Sequence, residues 1–149
     1  MEAYDMKSEK KIIHKTQLRP RYGEVDRMGY VYHANYITYC HQARTELLRE
    51  FGINDSVLEE NSIMLPVISM DLRYFKPAYY DELLTIKTVI RKLPEVRFHF
   101  EFEIRNEAKE KVCTANSTVV FVNSATRKPV KVPELIEEIF KQELEIACV

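Results

Sequence analysis

The chain has 149 residues, of which 46% are hydrophobic and 30% are charged, so a disordered chain and a coiled coil are both excluded in favour of a globular protein. Its formal net charge of −1 offers no basic surface for neutralising phosphates, and we therefore expect no binding to nucleic acid. No apolar run approaches the roughly 20 residues of a membrane helix, and the charged N-terminus lacks the apolar core of a signal peptide. We expect one domain over residues 1–149, with no membrane span and a cytoplasmic location.

The first half of the chain predicts a strand and a long helix. Residues 11–18 have a weak strand pattern, which should end before Pro20 because proline cannot donate a ladder hydrogen bond. From residue 35 to residue 51, apolar residues recur every three or four positions, which predicts a helix that ends at Gly52. Arg44 is among the charged residues that fall largely off this apolar stripe. The stripe itself consists of Tyr36, Cys40, Ala43, Leu47 and Phe51.

The second half of the chain predicts a sheet. A short helix over residues 55–60 comes first, and Pro133 opens a C-terminal helix with glutamates near its positive end. Between these helices, segments with alternating apolar residues predict long strands at 63–75, 83–93, 96–105 and 112–123. Such alternation indicates an antiparallel sheet with one buried face, which the long helix would cover. The predicted class is α+β, with a curved sheet around a central helix.

The candidate site lies in the irregular loop before the long helix, where Asp26, Gly29 and His33 occur close together. Asp26 is in a common position for a functional residue, although a turn or capping role explains it equally well. Gly29 is compatible with a positive φ, a close backbone approach or an ordinary turn. His33 is compatible with acid–base chemistry, with orienting a ligand, or with a polar position near the helix start. A carbonyl placed at residues 33–36 would be polarised by the unpaired N–H groups of the first turn, and Asp26 or a water that it activates could attack it.

Other chemistries find less support in the sequence. Cys40 and His41 are adjacent, but neighbours on a helix point about 100° apart, and Cys40 lies on the apolar stripe, so a core role is favoured. His33 and His41 would be about 12 Å apart on a helix, which is too far to share a metal ion. The three cysteines include no CxxC pair, which favours reduced thiols, and no glycine-rich phosphate loop is present. We expect neither a metal nor a cofactor.

The segment RYGEVDRMGYVYHANYITYCHQARTELLREFGI (21–53) resembles the signature of hotdog-fold thioesterases of the 4-hydroxybenzoyl-CoA thioesterase type, especially the bacterial YbgC-type acyl-CoA thioesterases. The family pattern is aromatic–x–D–x–D–x–x–G–x–V–Y–H–x–N–Y. It is matched here by Tyr22, Asp26, Gly29, Val31, Tyr32, His33, Asn35 and Tyr36. The later segment DLRYFKPAYYDELL also resembles the family's second strand and turn, so the resemblance covers nearly the whole chain. This chain has Glu24-Val25-Asp26 where relatives usually have D-T-D, and Arg27-Met28 replaces small residues.

The resemblance implies a hotdog fold whose subunits pair edge to edge as a homodimer or homotetramer. It also implies hydrolysis of an acyl-CoA or acyl-carrier thioester, with no cofactor beyond the CoA of the substrate. Asp26 would be the nucleophile or the general base, His33 and Tyr22 would assist it, and the backbone N–H near His33 would polarise the carbonyl. The remaining matched positions are expected to bind substrate: Gly29, Val31, Tyr32, Asn35 and Tyr36.

Two other functions are open to a protein with this fold. One is a non-catalytic protein that binds acyl thioesters, and the intact Asp26 argues only mildly against it. The other is a hotdog enoyl-CoA hydratase, in which an aspartate and a histidine have a closer spacing. Six residues separate Asp26 from His33 in this chain, which argues against the hydratase.

Overall fold

The computed structural model describes residues 10–147, so residues 1–9 and 148–149, including Cys148, lie outside the described part of the chain. No helix in the described part is long and apolar enough to cross a membrane. In chain order the elements are β1 (Ile12–Leu18), a 3-10 turn (Tyr22–Glu24), α1 (Asn35–Glu50), α2 (Asp55–Glu60), β2 (Ile63–Met64), β3 (Val67–Tyr74), β4 (Leu84–Ile90), β5 (Arg97–Arg105), β6 (Lys111–Val120), β7 (Val122–Asn123) and α3 (Glu134–Ala147).

The long helix α1 forms where its apolar period predicts it. Cys40, Ala43 and Leu47 are buried on one side of α1, which packs against β1 and β4. The helix ends before Gly52, whose φ of +81° lies in the left-handed region that glycine adopts without strain. The N–H of Gly52 donates to the carbonyl oxygen of Arg49 at 3.0 Å, which closes the last turn. The predicted helix and its stop are therefore confirmed.

The main sheet has five antiparallel strands in the order β1-β4-β5-β6-β3, and β2 pairs with β7 beside it. The alternation predicted for β5 is confirmed, because Phe98, Phe100, Phe102 and Ile104 are all at most 3% exposed. The curved sheet, the central helix α1 and the C-terminal helix α3 give the α+β hotdog architecture that the sequence predicts.

The structure differs from the sequence prediction in three strands and one side chain. The strand predicted over residues 112–123 is divided at Phe121, because β6 belongs to the main sheet whereas β7 pairs with β2. The strand predicted over residues 63–75 is interrupted at Pro66, because β2 pairs with β7 whereas β3 pairs with β6. The strand predicted to reach residue 93 ends at Ile90. Arg44 is only 6% exposed although it lies off the apolar stripe. Its guanidinium lies over the ring of Phe100, 6.0 Å from the ring centroid.

Candidate active site

Asp26 begins a tight turn whose geometry is set by hydrogen bonds within residues 26–30. The N–H of Asp26 donates to the carbonyl oxygen of Tyr30 at 2.8 Å, and the N–H of Gly29 donates to the carbonyl oxygen of Asp26 at 3.0 Å. Oδ1 of Asp26 accepts the N–H of Met28 at 2.9 Å, which is an Asx turn. Asp26 therefore does have the turn role that its sequence position allowed, but this role occupies only one carboxylate oxygen.

Gly29 has a φ of +84°, so the positive φ that the sequence allowed at this glycine is observed. A Cβ at this position would meet nothing within 4 Å, which shows that backbone conformation rather than crowding selects glycine. The turn then leads the chain back towards α1.

Backbone groups fix the Asp26 turn to the start of α1. The carbonyl oxygen of Glu24 accepts the N–H of Tyr32 at 2.9 Å and the side-chain amide of Asn35 at 2.8 Å. On the other side, the N–H of Val31 donates to the carbonyl oxygen of Ala78 at 2.8 Å. These bonds attach the loop both to the helix and to the segment that follows β3. We call residues 21–33 the Asp26 hairpin.

The side chain of Glu24 makes a second connection between the Asp26 hairpin and α1. Tyr39 is 2% exposed, and its hydroxyl donates to Oε1 of Glu24 at 2.8 Å. The same oxygen accepts the N–H of Arg21 at 2.8 Å. Burial, followed by the Glu24 carboxylate, raises the pKa of Tyr39, so its hydroxyl remains a donor at neutral pH. The sequence did not predict this contact, because the two residues are 15 positions apart. The one signal in the sequence was that Glu24 keeps an acidic side chain at the first acidic position of the family motif.

The first turn of α1 has backbone donors available for a ligand. The N–H groups of Asn35 and Ile37 donate to carbonyl oxygens of the preceding residues. Within residues 10–147, no hydrogen bond is found from the N–H of His33, Ala34 or Tyr36, and no side chain caps the helix. Unpaired N–H groups at a helix start carry partial positive charge, so this turn can stabilise a developing oxyanion.

Aromatic rings surround the exposed side chain of His33. The ring centroids of Tyr32 and Tyr74 lie 4.5 and 6.4 Å from that of His33, and the Tyr74 hydroxyl donates to the carbonyl oxygen of His33 at 3.0 Å. Tyr22 is 80% exposed and contacts the ring of Tyr80 edge-on at 5.9 Å. The hairpin thus carries Tyr22, Tyr32 and His33 as exposed side chains, and no hydrogen bond joins any of them to the Asp26 carboxylate within the described residues.

Three of the positions expected to bind substrate have structural roles in the chain. Val31 and Tyr36 are 4% and 3% exposed, and the N–H of Ala78 donates to the Tyr36 hydroxyl at 3.3 Å. Burial raises the pKa of Tyr36 to about 12. The side chain of Asn35 is held by the Glu24 carbonyl oxygen. These side chains pack and position the hairpin, and their contact with substrate stays a prediction.

The cysteines and the metal-binding residue types form no second site in the described part of the chain. Cys40 and Cys113 are buried free thiols, which agrees with the core role favoured for Cys40. Burial raises their pKa values to about 12 and about 11, so neither forms a thiolate readily at neutral pH. Within residues 10–147, no group of three or more His, Cys, Asp or Glu side chains is arranged to hold a metal ion.

The comparison with known protein families covers most of the chain, including the Asp26 hairpin, every strand except β1, and the first half of α3. Residues 20–140 match the Thioesterase-like superfamily. The chain belongs to this superfamily. The resemblance seen in residues 21–53 is thereby confirmed.

Individual members of the thioesterase-like superfamily agree with this assignment. The putative acyl-CoA thioesterase YneP of Bacillus subtilis is 31% identical, over 80% of this chain and 86% of that protein. The acyl-CoA thioesterase YbgC of Helicobacter pylori is 35% identical, over 81% and 95% of the two chains. Among solved structures, the DHNA-CoA thioesterase from Staphylococcus aureus aligns with a TM-score of 0.82 and 28% identity, over 87% of this chain and 89% of that one.

Proposed function

We propose that the protein hydrolyses an acyl-CoA or acyl-carrier thioester to a free acid and a thiol. The observation that carries the proposal is the position of Asp26 on a hairpin that is bonded directly to a helix start with unpaired N–H groups. A carboxylate and an oxyanion-stabilising turn are the groups that acyl transfer requires. The names of the relatives and of the Staphylococcus aureus structure support the same reaction.

In the proposed reaction, the thioester carbonyl oxygen binds at the N–H groups of residues 33–36. Because the Met28 N–H holds Oδ1 of Asp26, the second carboxylate oxygen is the one that reacts. It either attacks the carbonyl carbon, forming an acyl–aspartate that water then hydrolyses, or it takes a proton from a water that attacks. In both routes the C–S bond breaks and the thiolate leaves to take up a proton. His33 and Tyr22 would assist from the exposed side of the hairpin.

The reaction needs no cofactor beyond the CoA of the substrate. A cytoplasmic location stays a prediction.

The proposed enzyme is an edge-to-edge homodimer, and a homotetramer would be a pair of such dimers. Support comes from β3, which forms one edge of the sheet and exposes Val67 and Ile68 to 48% and 49%. An exposed apolar edge strand invites pairing with another chain. Sedimentation of the wild type should show a dimer or tetramer, and Ile68→Asp should shift it towards the monomer because a carboxylate would then be buried at the interface. A monomeric wild type would contradict this arrangement.

The decisive experiment for function compares Asp26→Asn with the wild type. Thiol release is measured over a panel of acyl-CoAs that includes aliphatic and aromatic acyl groups. We expect a loss of about 10²-fold or more, since asparagine neither attacks nor accepts a proton. The matched control is Asp81→Asn, the same change at an exposed position outside the hairpin, which should retain wild-type rates.

A second variant separates the roles of Asp26 and His33. His33→Ala should lose less activity than Asp26→Asn, because the backbone N–H at residue 33 remains. A larger loss for His33→Ala would reverse this ranking, and equal rates for Asp26→Asn and the wild type would overturn the assignment of Asp26. If the wild type cleaves no thioester of the panel, the chain is instead a protein that binds acyl thioesters without cleaving them.

A further inference from the structure

A cleft of about 1030 Å³ lies along α1. Its walls come from α1, from α2 and from the segment 63–65. Of the Asp26 hairpin only Arg21 lines it. The cleft is therefore a feature apart from the Asp26 turn, and the proposed reaction does not use it.

Arg44 lines this cleft and is a buried cation without a carboxylate partner. It is 6% exposed, and its one described hydrogen bond runs from Nη2 to Nδ1 of His41 at 2.8 Å. No ion pair joins Arg44 to an Asp or Glu within residues 10–147. Burial lowers the pKa of Arg44, which expresses the cost of keeping an unpaired charge inside the protein. Buried charges in proteins are normally paired, so this one calls for an anion.

The guanidinium retains donors that open onto the cleft. It carries several N–H groups in a planar fork, and the bond to His41 uses only one of them. None of the Arg44 nitrogen atoms is among the fully buried, unpartnered polar atoms of the described side chains. The free N–H groups therefore reach the cleft that Arg44 lines. A planar fork of this kind binds carboxylate and phosphate oxygens through paired hydrogen bonds.

His41 adds a second donor to the same wall of the cleft. Because its Nδ1 accepts from Arg44, the neutral ring carries its proton on Nε2. Burial and the neighbouring guanidinium lower the pKa of His41, so the ring is neutral at pH 7 and keeps this arrangement. The two side chains together present only hydrogen-bond donors to a ligand in the cleft.

The other charged residues of the cleft do not form ion pairs with Arg44, so Arg44 and His41 remain available to bind an anion. Arg49 and Glu46 form an ion pair with each other. Asp55 and Glu59 are exposed on α2, and although the charge of Asp55 is felt by His41, neither acid forms an ion pair with Arg44. Apart from Glu46, which is paired with Arg49, the acidic groups of the cleft therefore lie at the exposed α2 wall, whereas the buried charge of the cleft is positive.

We propose that Arg44 and His41 form an anion-binding subsite in the cleft beside α1, which takes the phosphate or carboxylate group of a ligand. The subsite is independent of the proposed hydrolysis, since binding there requires no reaction at Asp26. The ligand group comes either from the substrate or product of the enzyme or from a separate small anion.

The test is a titration of the full chain with sodium phosphate, sodium acetate and CoA, with sodium chloride at equal ionic strength as the reference. Binding is measured by calorimetry and by the NMR signals of the His41 ring, which lie beside the proposed anion. We expect a saturable shift of the His41 signals with phosphate or CoA. Arg44→Gln should weaken binding by about tenfold or more, because it removes charge-assisted hydrogen bonds.

The matched control is Arg49→Gln, which removes an exposed arginine from the same cleft and should leave binding close to that of the wild type. If Arg44→Gln does not fold, Arg44→Lys keeps the positive charge, loses the planar fork, and should bind more weakly than the wild type. CoA binding tighter than phosphate would identify the substrate as the source of the anion, and equal binding of phosphate and acetate would identify a separate small anion. The proposal is overturned if chloride produces the same shift, if the wild type shows no saturable shift, or if Arg49→Gln weakens binding as much as Arg44→Gln.

Discussion

Removing the Tyr39 hydroxyl tests whether the contact between Glu24 and α1 holds the Asp26 hairpin in place. In Tyr39→Phe the buried ring is retained, so packing changes little. What is lost is one hydrogen bond of 2.8 Å to a carboxylate oxygen. That oxygen keeps the N–H of Arg21 at 2.8 Å and is therefore not left without a partner.

The expected loss follows from this geometry. Hydrogen bonds to charged groups contribute about 1.5–3 kcal/mol, and the lower end applies here because Glu24 keeps its second donor. We therefore expect Tyr39→Phe to lower the free energy of unfolding by about 1.5 kcal/mol. Looser positioning of Asp26 should also lower kcat more than it raises KM, because substrate contacts remain while the reacting carboxylate moves.

The assay is urea unfolding together with thiol-release kinetics, with Tyr80→Phe as the control. Tyr80 is 54% exposed and its hydroxyl has no described hydrogen bond, so the same deletion there should cost almost nothing. A double-mutant cycle with Glu24→Gln should give a coupling energy of at least about 0.5 kcal/mol, as for residues in direct contact. The reasoning is refuted if Tyr39→Phe and Tyr80→Phe are equally stable, or if the cycle shows no coupling.

Two further predictions concern the hairpin turn and the cleft. Gly29→Ala should lower the free energy of unfolding by about 1 kcal/mol, because alanine is strained at a φ of +84°. In the same urea experiment Gly23→Ala should be neutral or stabilising, since Gly23 has neither a positive φ nor a neighbour within 4 Å of a Cβ, and equal losses for both variants would contradict the argument. The pKa of His41 is lowered below its ordinary 6.5 in the folded protein, so the unfolded chain takes up the proton first and His41 should lower stability as the pH falls below 6.5. The free energy of unfolding, measured with urea at about pH 7.5 and about pH 5, should change less between the two pH values for His41→Asn than for the wild type. The same change in both proteins would show that His41 does not contribute to the pH dependence of stability.

Local patterns predicted the elements whose environment is uniform along their length. Helix α1 has one buried stripe and one Gly52 stop, and β5 has strict alternation, so periodicity was sufficient for both. The prediction of one continuous strand over 63–75 was wrong, because its two parts pair with different strands, β7 and β6. A change of partner depends on contacts between distant segments, which a local period does not record.

The conformation of the candidate site could be predicted in part, and the chemical roles of its residues stay predictions. The motif located Asp26, Gly29 and His33, and the positive φ of Gly29 could be anticipated from residue type alone. The bond from Tyr39 to Glu24 could not be predicted, because Tyr39 lies outside the predicted apolar stripe and the two residues are 15 positions apart. The burial of Arg44 was missed for a related reason, since its guanidinium packs over Phe100 of β5, which is distant in the sequence.

Helix α1 relates the two sites by a fixed distance. Arg44 is eleven positions after His33, the first residue of the proposed oxyanion turn, which corresponds to about 16 Å along a helix axis. A ligand that occupied both sites would have to be extended and carry an anionic group far from its thioester. If such a ligand is the substrate, Arg44→Gln should raise KM for a long CoA thioester but leave a short thioester without phosphates unaffected. If the two sites are independent, Arg44→Gln should change KM for neither, although it weakens anion binding. The comparison of these two substrates therefore distinguishes one bipartite site from two separate ones.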